Sequence, residues 1–555
     1  MSGKDRLPDA SPFGGALGYG FYRSEGKLWL GDTPAANFDI LSVTPLYPPD
    51  PGGQAAAYQI EVSAAGQRQC IVAKADKPLL KQLCQQAHTC RVFGAKAEQL
   101  LDALVIEMAL KSSESGVFLE SYGLFQLDGI YRFQCGGETL GTAMSRPVVL
   151  LPELTTLQLV TSEALSVSES TEVVLRASME HITTVWPTFC YGLLSSMRSR
   201  LVAEDIGIFP TLFVTGTQGY GKTTVVRHFL LTCDRRSPHG IFGMLDRDST
   251  LQGVRQQVCR YRDQALLLDN IDRTERGELD KTQLKLVEEC IHMVSNENQR
   301  ASAGTGHKLS ICRSGLAITA TGIPSVDSVL TRLILVQLDK PLKDGKPSDR
   351  VAAATALRGW LLWLLPSLDE AVTSLKERLQ NLPNDLETRL ATTEALMNWS
   401  AELFLKFSID CMALSPDVHA RFVERSRSAF HSLLEHQQAL VKKLHASTQH
   451  NLAWYVRKIY QSGTLDFAAK KKKVSSKEQC YSDDEIFYIT PENLANLLRQ
   501  YDSAPHVSKR KLGARLKDVL ILDEGETEHF AQTRLGKKRI RFLTIDLRKL
   551  EKKAR

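Results

Sequence analysis

The chain has 555 residues, 43% hydrophobic and 24% charged, the balance of a soluble globular protein with material for three or four domains. Its net charge of +6 is uneven. Tyr501 to Arg555 carries 15 Lys/Arg against 8 Asp/Glu, a net of +7, so the preceding 500 residues sum to −1 and any electrostatic footprint for nucleic acid is local. The first 20 residues lack a basic start followed by an apolar run, so no secretory signal is expected. The most lipid-like stretch, Trp360 to Leu365 (WLLWLL), stops at Pro366 and is too short to span a bilayer, so a buried helix and no membrane partner are expected. Eleven cysteines without any C-x-x-C pair suit a reducing cytoplasm, the expected location. Cys84, His88 and Cys90 lie close together, but one cluster without a second half is a weak metal signal beside ordinary cysteine burial.

In chain order, the first 145 residues read as β-rich. Gly18 to Gly31 forms two short strands about Ser24-Glu25-Gly26, and a Pro/Gly loop (Tyr47 to Gly53) precedes strands at Tyr58 to Val62 and Gln69 to Val72. Leu79 to Leu110 is more helical, and Ser121 to Gly137 is a hairpin about Asp128-Gly129. Paired acids and metal-ligand spacing are absent there, so the region is assigned no chemistry. Thr171 to Leu201 is helical and apolar and leads into FPTLFVTGTQGYGKTTVVRHFLL (Phe209 to Leu231).

The centre of that stretch, Gly216 to Thr223, fits the phosphate loop G-x-x-x-x-G-K-[ST], with an apolar strand before it and Val225, Val226, Phe229 and Leu230 on one helical face after it. Glycines let the backbone turn its N–H groups toward phosphate oxygens at a helix N-terminus. The loop residues Gly216, Gln218, Gly219, Tyr220, Gly221, Lys222, Thr223 and Thr224 are therefore expected to hold ATP, with Lys222 on the outer phosphates and Thr223 in the Mg2+ shell. A second element, ALLLDNID (Ala265 to Asp272), is a hydrophobic strand ending in acid, 47 residues past Lys222 at Asp269. A buried strand would bring Asp269 beside the loop to share the Mg2+. A third, LAITATG (Leu316 to Gly322), is a strand candidate that could present Thr319 or Thr321 to the γ-phosphate or the attacking water, although threonine is also simply a good strand former. A fourth, Asp327 to Arg332, precedes the strand Leu333 to Leu338. Arg332 there is either an arginine finger toward a neighbouring subunit or a surface ion-pair residue.

Beyond it, Lys340 to Arg350 reads as a linker, and Val351 to Tyr460 is helix-forming sequence broken at Pro366, Pro383 and Pro416. Ala468 to Glu478, with its Lys470 to Lys473 run, reads as a solvated basic linker. Pro491 to Tyr501 and Ser508 to Leu520 read as helices, and Glu528 to Phe530 and Arg539 to Ile545 as strands joined by Thr533 to Lys538. Two helices before a basic hairpin make a winged-helix pattern. Lys509, Arg510, Lys511 and Arg515 would crown one helix, and Lys537, Lys538 and Arg539 the wing, to contact DNA phosphates.

The order phosphate loop, LLLD, LAITATG, TRLILVQLD resembles the ring-forming AAA+ helicases of phages and mobile islands, which are similar to minichromosome-maintenance and superfamily 3 replicative helicases. More closely, it resembles the phage and genomic-island P-loop family that includes the helicases of staphylococcal cassette elements. The resemblance covers most of the chain, with Gly18 to Gly31 and Ser121 to Gly137 matching its N-terminal β region, NENQRAS (Asn296 to Ser302) the segment before its third strand and Ser508 to Leu547 its winged helix. It implies a multidomain chain: a β-rich N-terminal domain (1–145), an α/β P-loop AAA+ ATPase core (170–339), a helical lid (351–465), a basic linker (466–482) and a C-terminal winged helix (483–555). It also implies a homo-hexamer with ATP between subunits and Arg332 acting in trans, with DNA and other replication proteins as partners. A hairpin Gln299 to Arg313 would line the DNA channel with His307 and Lys308, and Arg389 in the lid would sense nucleotide. One departure stands out. The family has glutamate after the metal-binding aspartate, whereas this chain has Asn270, which cannot accept a proton. Either Asp272 substitutes or hydrolysis is slow. The expected function is an ATP-dependent DNA helicase or translocase of a mobile element. A nucleotide-dependent DNA-binding initiator, or a defence ATPase with slow hydrolysis, is the alternative.

Overall fold

The computed structural model describes residues 16–49, 54–150, 157–206, 208–235, 244–246, 249–271, 281–295, 312–324, 326–342, 347–382, 386–462, 465–467, 480–482, 485–498, 512–516, 519–520, 530–535 and 538–553. The chain is a multidomain α/β protein. It divides into two compact units, Met1–Pro324 with Arg332–Glu435, and Ser325–Thr331 with His436–Arg555.

The first unit begins with an antiparallel meander of Ala16–Gly18, Phe21–Ser24, Lys27–Leu30 and Thr33–Ala36. A five-stranded sheet follows, ordered Val148–Leu150, Gly116–Leu119, Phe38–Tyr47, Ala57–Ala64, Gln67–Lys74. Alternation in YQIEVSA sends Ile60, Val62 and Ala64 inward against Leu79, Leu83, Leu101 and Leu104 of the helices Leu79–Gln86 and Ala95–Lys111. Val148–Leu150 pairs in parallel with Gly116–Leu119, so this β region runs past residue 145. The hairpin Gly123–Leu127 with Ile130–Cys135 turns at Asp128 (φ 54°) and Gly129 (φ 76°), the left-handed pair that a two-residue turn demands.

The capping box Ser166-x-x-Glu169 opens the helix Val167–Glu180, and the apolar helix Val185–Ser195 leads to the central sheet. That sheet is all parallel, ordered Met244–Asp246, Ala265–Ile271, Gly315–Ala320, Thr211–Gly216, Leu333–Leu338. Its inner strands are buried on both faces, which is why they read as unbroken apolar runs rather than alternating ones. Helices Pro347–Leu364, Leu368–Gln380, Thr388–Asp410 and Pro416–Gln461 follow, the first of them starting inside the segment expected as a linker. Ser348–Gln380 is long and apolar enough to cross a membrane by length and composition, but 67% of its most apolar window is buried. Trp360, Leu361, Leu364 and Leu365 lie in the core.

The second unit takes up the rest of the Pro416–Gln461 helix and an antiparallel sheet ordered Tyr481–Ser482, Ile486–Ile489, Lys538–Asp546, Phe530–Leu535. Leu452, Val456, Phe487, Leu494, Leu512, Leu543 and Ile545 form its core. Two expected boundaries shift. Leu535 pairs directly with Lys538, so Thr533 to Leu535 belong to the strand and not to its connection; cross-strand hydrogen bonding outweighs the polar look of Thr-Arg. The described helix near Ser508 to Leu520 is Leu512–Arg515, and Leu520 instead bridges Ile545, where its side chain is buried.

Candidate nucleotide site

The strand Thr211–Gly216 runs into the loop at Gly216, where a β-carbon would sit 2.6 Å from the Leu338 carbonyl oxygen of the neighbouring strand. No side chain fits there. Gly219 (φ 81°) and Gly221 (φ 89°) take the left-handed conformation that lets the loop curl, and Gly221 hands over to the helix Lys222–Phe229. Val225, Val226 and Phe229 anchor that helix against the sheet. The loop is closed by the Tyr220 amide donating to the Thr217 carbonyl (3.3 Å) and the Leu342 amide donating to the Tyr220 carbonyl (3.1 Å). Gln218 and Gly219 are exposed at its crest, with Tyr220, Thr223 and Thr224 half-buried beside it. The Lys222 ammonium donates to the Gly216 and Thr217 carbonyls, 2.9 Å each. An ammonium folded onto the loop's own carbonyl oxygens is already positioned to exchange them for phosphate oxygens.

Asp269 sits next to this loop because its strand ends level with it, one strand removed. The Thr223 hydroxyl donates to Asp269 Oδ1 at 2.8 Å, and the Thr319 hydroxyl donates to the same oxygen. Thr319 comes from the strand lying between the other two, and its Oγ1 also accepts from the Asn270 amide at 3.3 Å. Asp269 is buried and Asn270 exposed. The pairing register breaks between Leu268 and Ile271, and Asn270 (φ 63°) bulges out in the left-handed region that asparagine tolerates better than most residues. Thr321 lies beyond the strand, its amide bonded to the Ile271 carbonyl at 3.0 Å. The donor set of a hydroxyl and a carboxylate 2.8 Å apart is all oxygen, which fits Mg2+. Among the described residues no three His, Cys, Asp or Glu side chains converge as a metal cluster, Cys84, His88 and Cys90 included.

Arg332 is kept away from this cluster. It precedes Leu333–Leu338, and its carbonyl accepts the Thr211 amide at 2.9 Å, at the opposite edge of the sheet from Gly216. Five strand steps separate the two edges, about 17 Å at ~3.3 Å per residue. Arg389 joins Arg332 there in a cavity of about 310 Å³ lined also by Ile208, Phe209, Ser295 and Thr393. Burial lowers the Arg332 pKa from its usual value and the Arg389 charge lowers it further, with Glu387 opposing. Burial and then the same two arginines hold His292 below the usual imidazole range. Ser295, 5% exposed, has a hydroxyl without a hydrogen-bond partner. An enclosed pair of guanidiniums with an unspent hydroxyl favours an anion. The sequence marks the two arginines separately; Ser295 carries no local signal, since the cavity draws on widely spaced elements.

The remaining candidates are placed only in part. Asp272, His307, Lys308, Lys509, Arg510, Lys511 and Lys537 lie outside the described residues. Arg515 is half-buried at the end of Leu512–Arg515, and Lys538 and Arg539 open the strand Lys538–Asp546.

No protein-family model matches this chain, and no curated protein matches it. Among solved structures it is similar to one named "SCCmec type IV Cch - active helicase", with 12% identity, a TM-score of 0.58, and alignment over 98% of this chain and 100% of that one. At that identity the likeness shows a helicase-like fold.

Proposed function

We propose that the chain is an ATP-dependent DNA helicase or translocase of a phage, plasmid or genomic island, working in DNA replication as a ring of six copies. The observation that carries the ATPase reading is the convergence of Thr223 and Thr319 on one oxygen of Asp269 beneath the Lys222 loop. In this reading Lys222 leaves the loop carbonyls for the outer phosphates of ATP, and Thr223 with Asp269 holds the Mg2+. A Mg2+ held there would neutralise charge developing on the phosphoryl oxygens. Thr319 fixes Asp269, and a base near the bulge, Asp272 in this proposal, takes the proton of the attacking water. Arg332 and Arg389 are too far along the sheet to serve their own loop, so they act on the γ-phosphate of the next copy, and this requires a ring. His307 and Lys308 follow a DNA backbone in the channel. The C-terminal unit, read as a winged helix, adds Lys509, Arg510, Lys511, Arg515, Lys537, Lys538 and Arg539. The name of the similar structure supports the same reading.

The test is a forked DNA with Mg-ATP, comparing the native chain with Lys222→Ala. The native chain separates the strands; the variant loses at least ~100-fold in ATP turnover and all unwinding. Unwinding untouched by the substitution would overturn the proposal. Asn270 favours one second reading, a DNA-binding initiator or defence ATPase that assembles with ATP and hydrolyses slowly. That reading requires ATP-dependent assembly on DNA without strand separation at any protein concentration.

A further inference from the structure

Outside the nucleotide site, two thiols meet in the interior. Cys135 ends the strand Ile130–Cys135, and Cys233 opens the strand Cys233–Arg235. They are 98 residues apart in sequence, yet their Sγ atoms lie 3.6 Å apart and each residue is 2% exposed. Backbone contacts fix both sides. Cys233 pairs with Leu159, and a β-carbon on Gly136 would lie 1.4 Å from the Leu157 carbonyl oxygen, so the hairpin end is pressed onto the same strand that Cys233 pairs with. Cys233 also donates to Gln264 Oε1 at 3.2 Å, and the Arg350 guanidinium donates to the Cys233 and Leu231 carbonyls at 2.7 Å each. The surroundings differ: the Cys135 thiol is pushed up by its bond to Cys233 and by burial, whereas for Cys233 that bond, with Thr232 and Arg350 close by, outweighs burial and holds the thiol down. A lower thiol beside a higher one is an attacking sulfur beside a resolving one.

We propose that Cys135 and Cys233 form a redox-modifiable dithiol, closing to an intramolecular disulfide when the chain meets a peroxide. The Cys233 sulfur attacks one peroxide oxygen, the O–O bond breaks, and a sulfenic acid and one water form. The Cys135 sulfur then attacks the sulfenic sulfur and expels a second water. Two thiols have lost two electrons and two protons, and the peroxide has become two waters. The sulfurs have to close from 3.6 Å to about 2.05 Å. Cys233 lies four residues past the end of the helix Lys222–Phe229, so the bond would tie the far end of that helix to the N-terminal hairpin.

The experiment uses the full native chain, fully reduced and then treated with hydrogen peroxide. Remaining thiols are alkylated and the digest is read by mass spectrometry. Exposed Cys70 is the internal reference for oxidation. The expected result is a linked Cys135–Cys233 peptide that disappears with dithiothreitol, together with a melting temperature raised by several degrees in the native chain and not in Cys135→Ser. Recovery of both cysteines as alkylated thiols, or as separate sulfinic acids, once Cys70 has been oxidised would overturn the proposal. The peptide result decides it even if the variant folds poorly.

Discussion

Asp269 Oδ1 receives two hydroxyl hydrogens because its strand and the threonine strand end, and the loop helix begins, at one level of the sheet. The residue after it does the opposite. Asn270 swings outward at φ 63°, and its amide can orient a water but not take its proton. Asn270→Glu is therefore expected to raise steady-state ATP turnover at least ~10-fold, read as phosphate release with DNA present. An unchanged rate would mean that the base stands elsewhere and is already sufficient. The loop glycines and Lys222 are legible in the sequence because their spacing alone sets the loop's turn into the helix. Whether Thr319 or Thr321 faced the acid was not, because strand alternation fixes a side chain's direction only once the strand's end is known.

Among the secondary-structure elements, a single buried carboxylate joins three of them. Asp263 (φ 53°) precedes the strand Ala265–Ile271, and its carboxylate accepts the Leu124 amide of the N-terminal hairpin (2.8 Å) and the Ser199 amide of the helix Arg198–Ala203 (2.6 Å). Burial pushes its carboxyl up from 3.8 to about 6, against the pull of Arg262 and the two amides. Since the folded value lies above the unfolded one, folding favours the neutral acid. The stabilising contribution is full below the unfolded value and is lost as pH rises through about 6. Denaturant midpoints of the native chain and Asp263→Asn, compared over that window, should differ in pH dependence, the native chain losing up to about 1.4 kcal/mol more per pH unit as pH rises. Parallel slopes would refute the assignment. Hairpin turns such as Asp128-Gly129 were readable from their residues alone. The joint at Asp263 was not, because its partners lie 64 and 139 residues away. The same holds for Ile486–Ile489, a strand that its pairings with Tyr481–Ser482 and with the distant Lys538–Asp546 define.

For the molecule as a whole, the run of strands that brings Asp269 and Thr319 to the Lys222 loop could be read in advance, but not the division of the chain. The sequence suggested consecutive domains, whereas Ser325–Thr331 groups with His436–Arg555, and the boundary at Glu435 falls inside the helix Pro416–Gln461. Composition cannot reveal this, since a short apolar segment looks alike whichever body it joins. Within the second unit the Gln437 amide donates to the Leu330 carbonyl at 2.5 Å, and Val329, Leu330 and Gln437 are all fully buried. The polypeptide thus passes between the units three times, once directly before Arg332. Anyone trimming the protein to the part that carries the Lys222 loop will find no clean place to cut. A chain stopped after Glu435 should melt several degrees lower than the full one and bind a hydrophobic dye through the bared Val329 and Leu330, whereas an unchanged melt would show that those two never needed the missing tail.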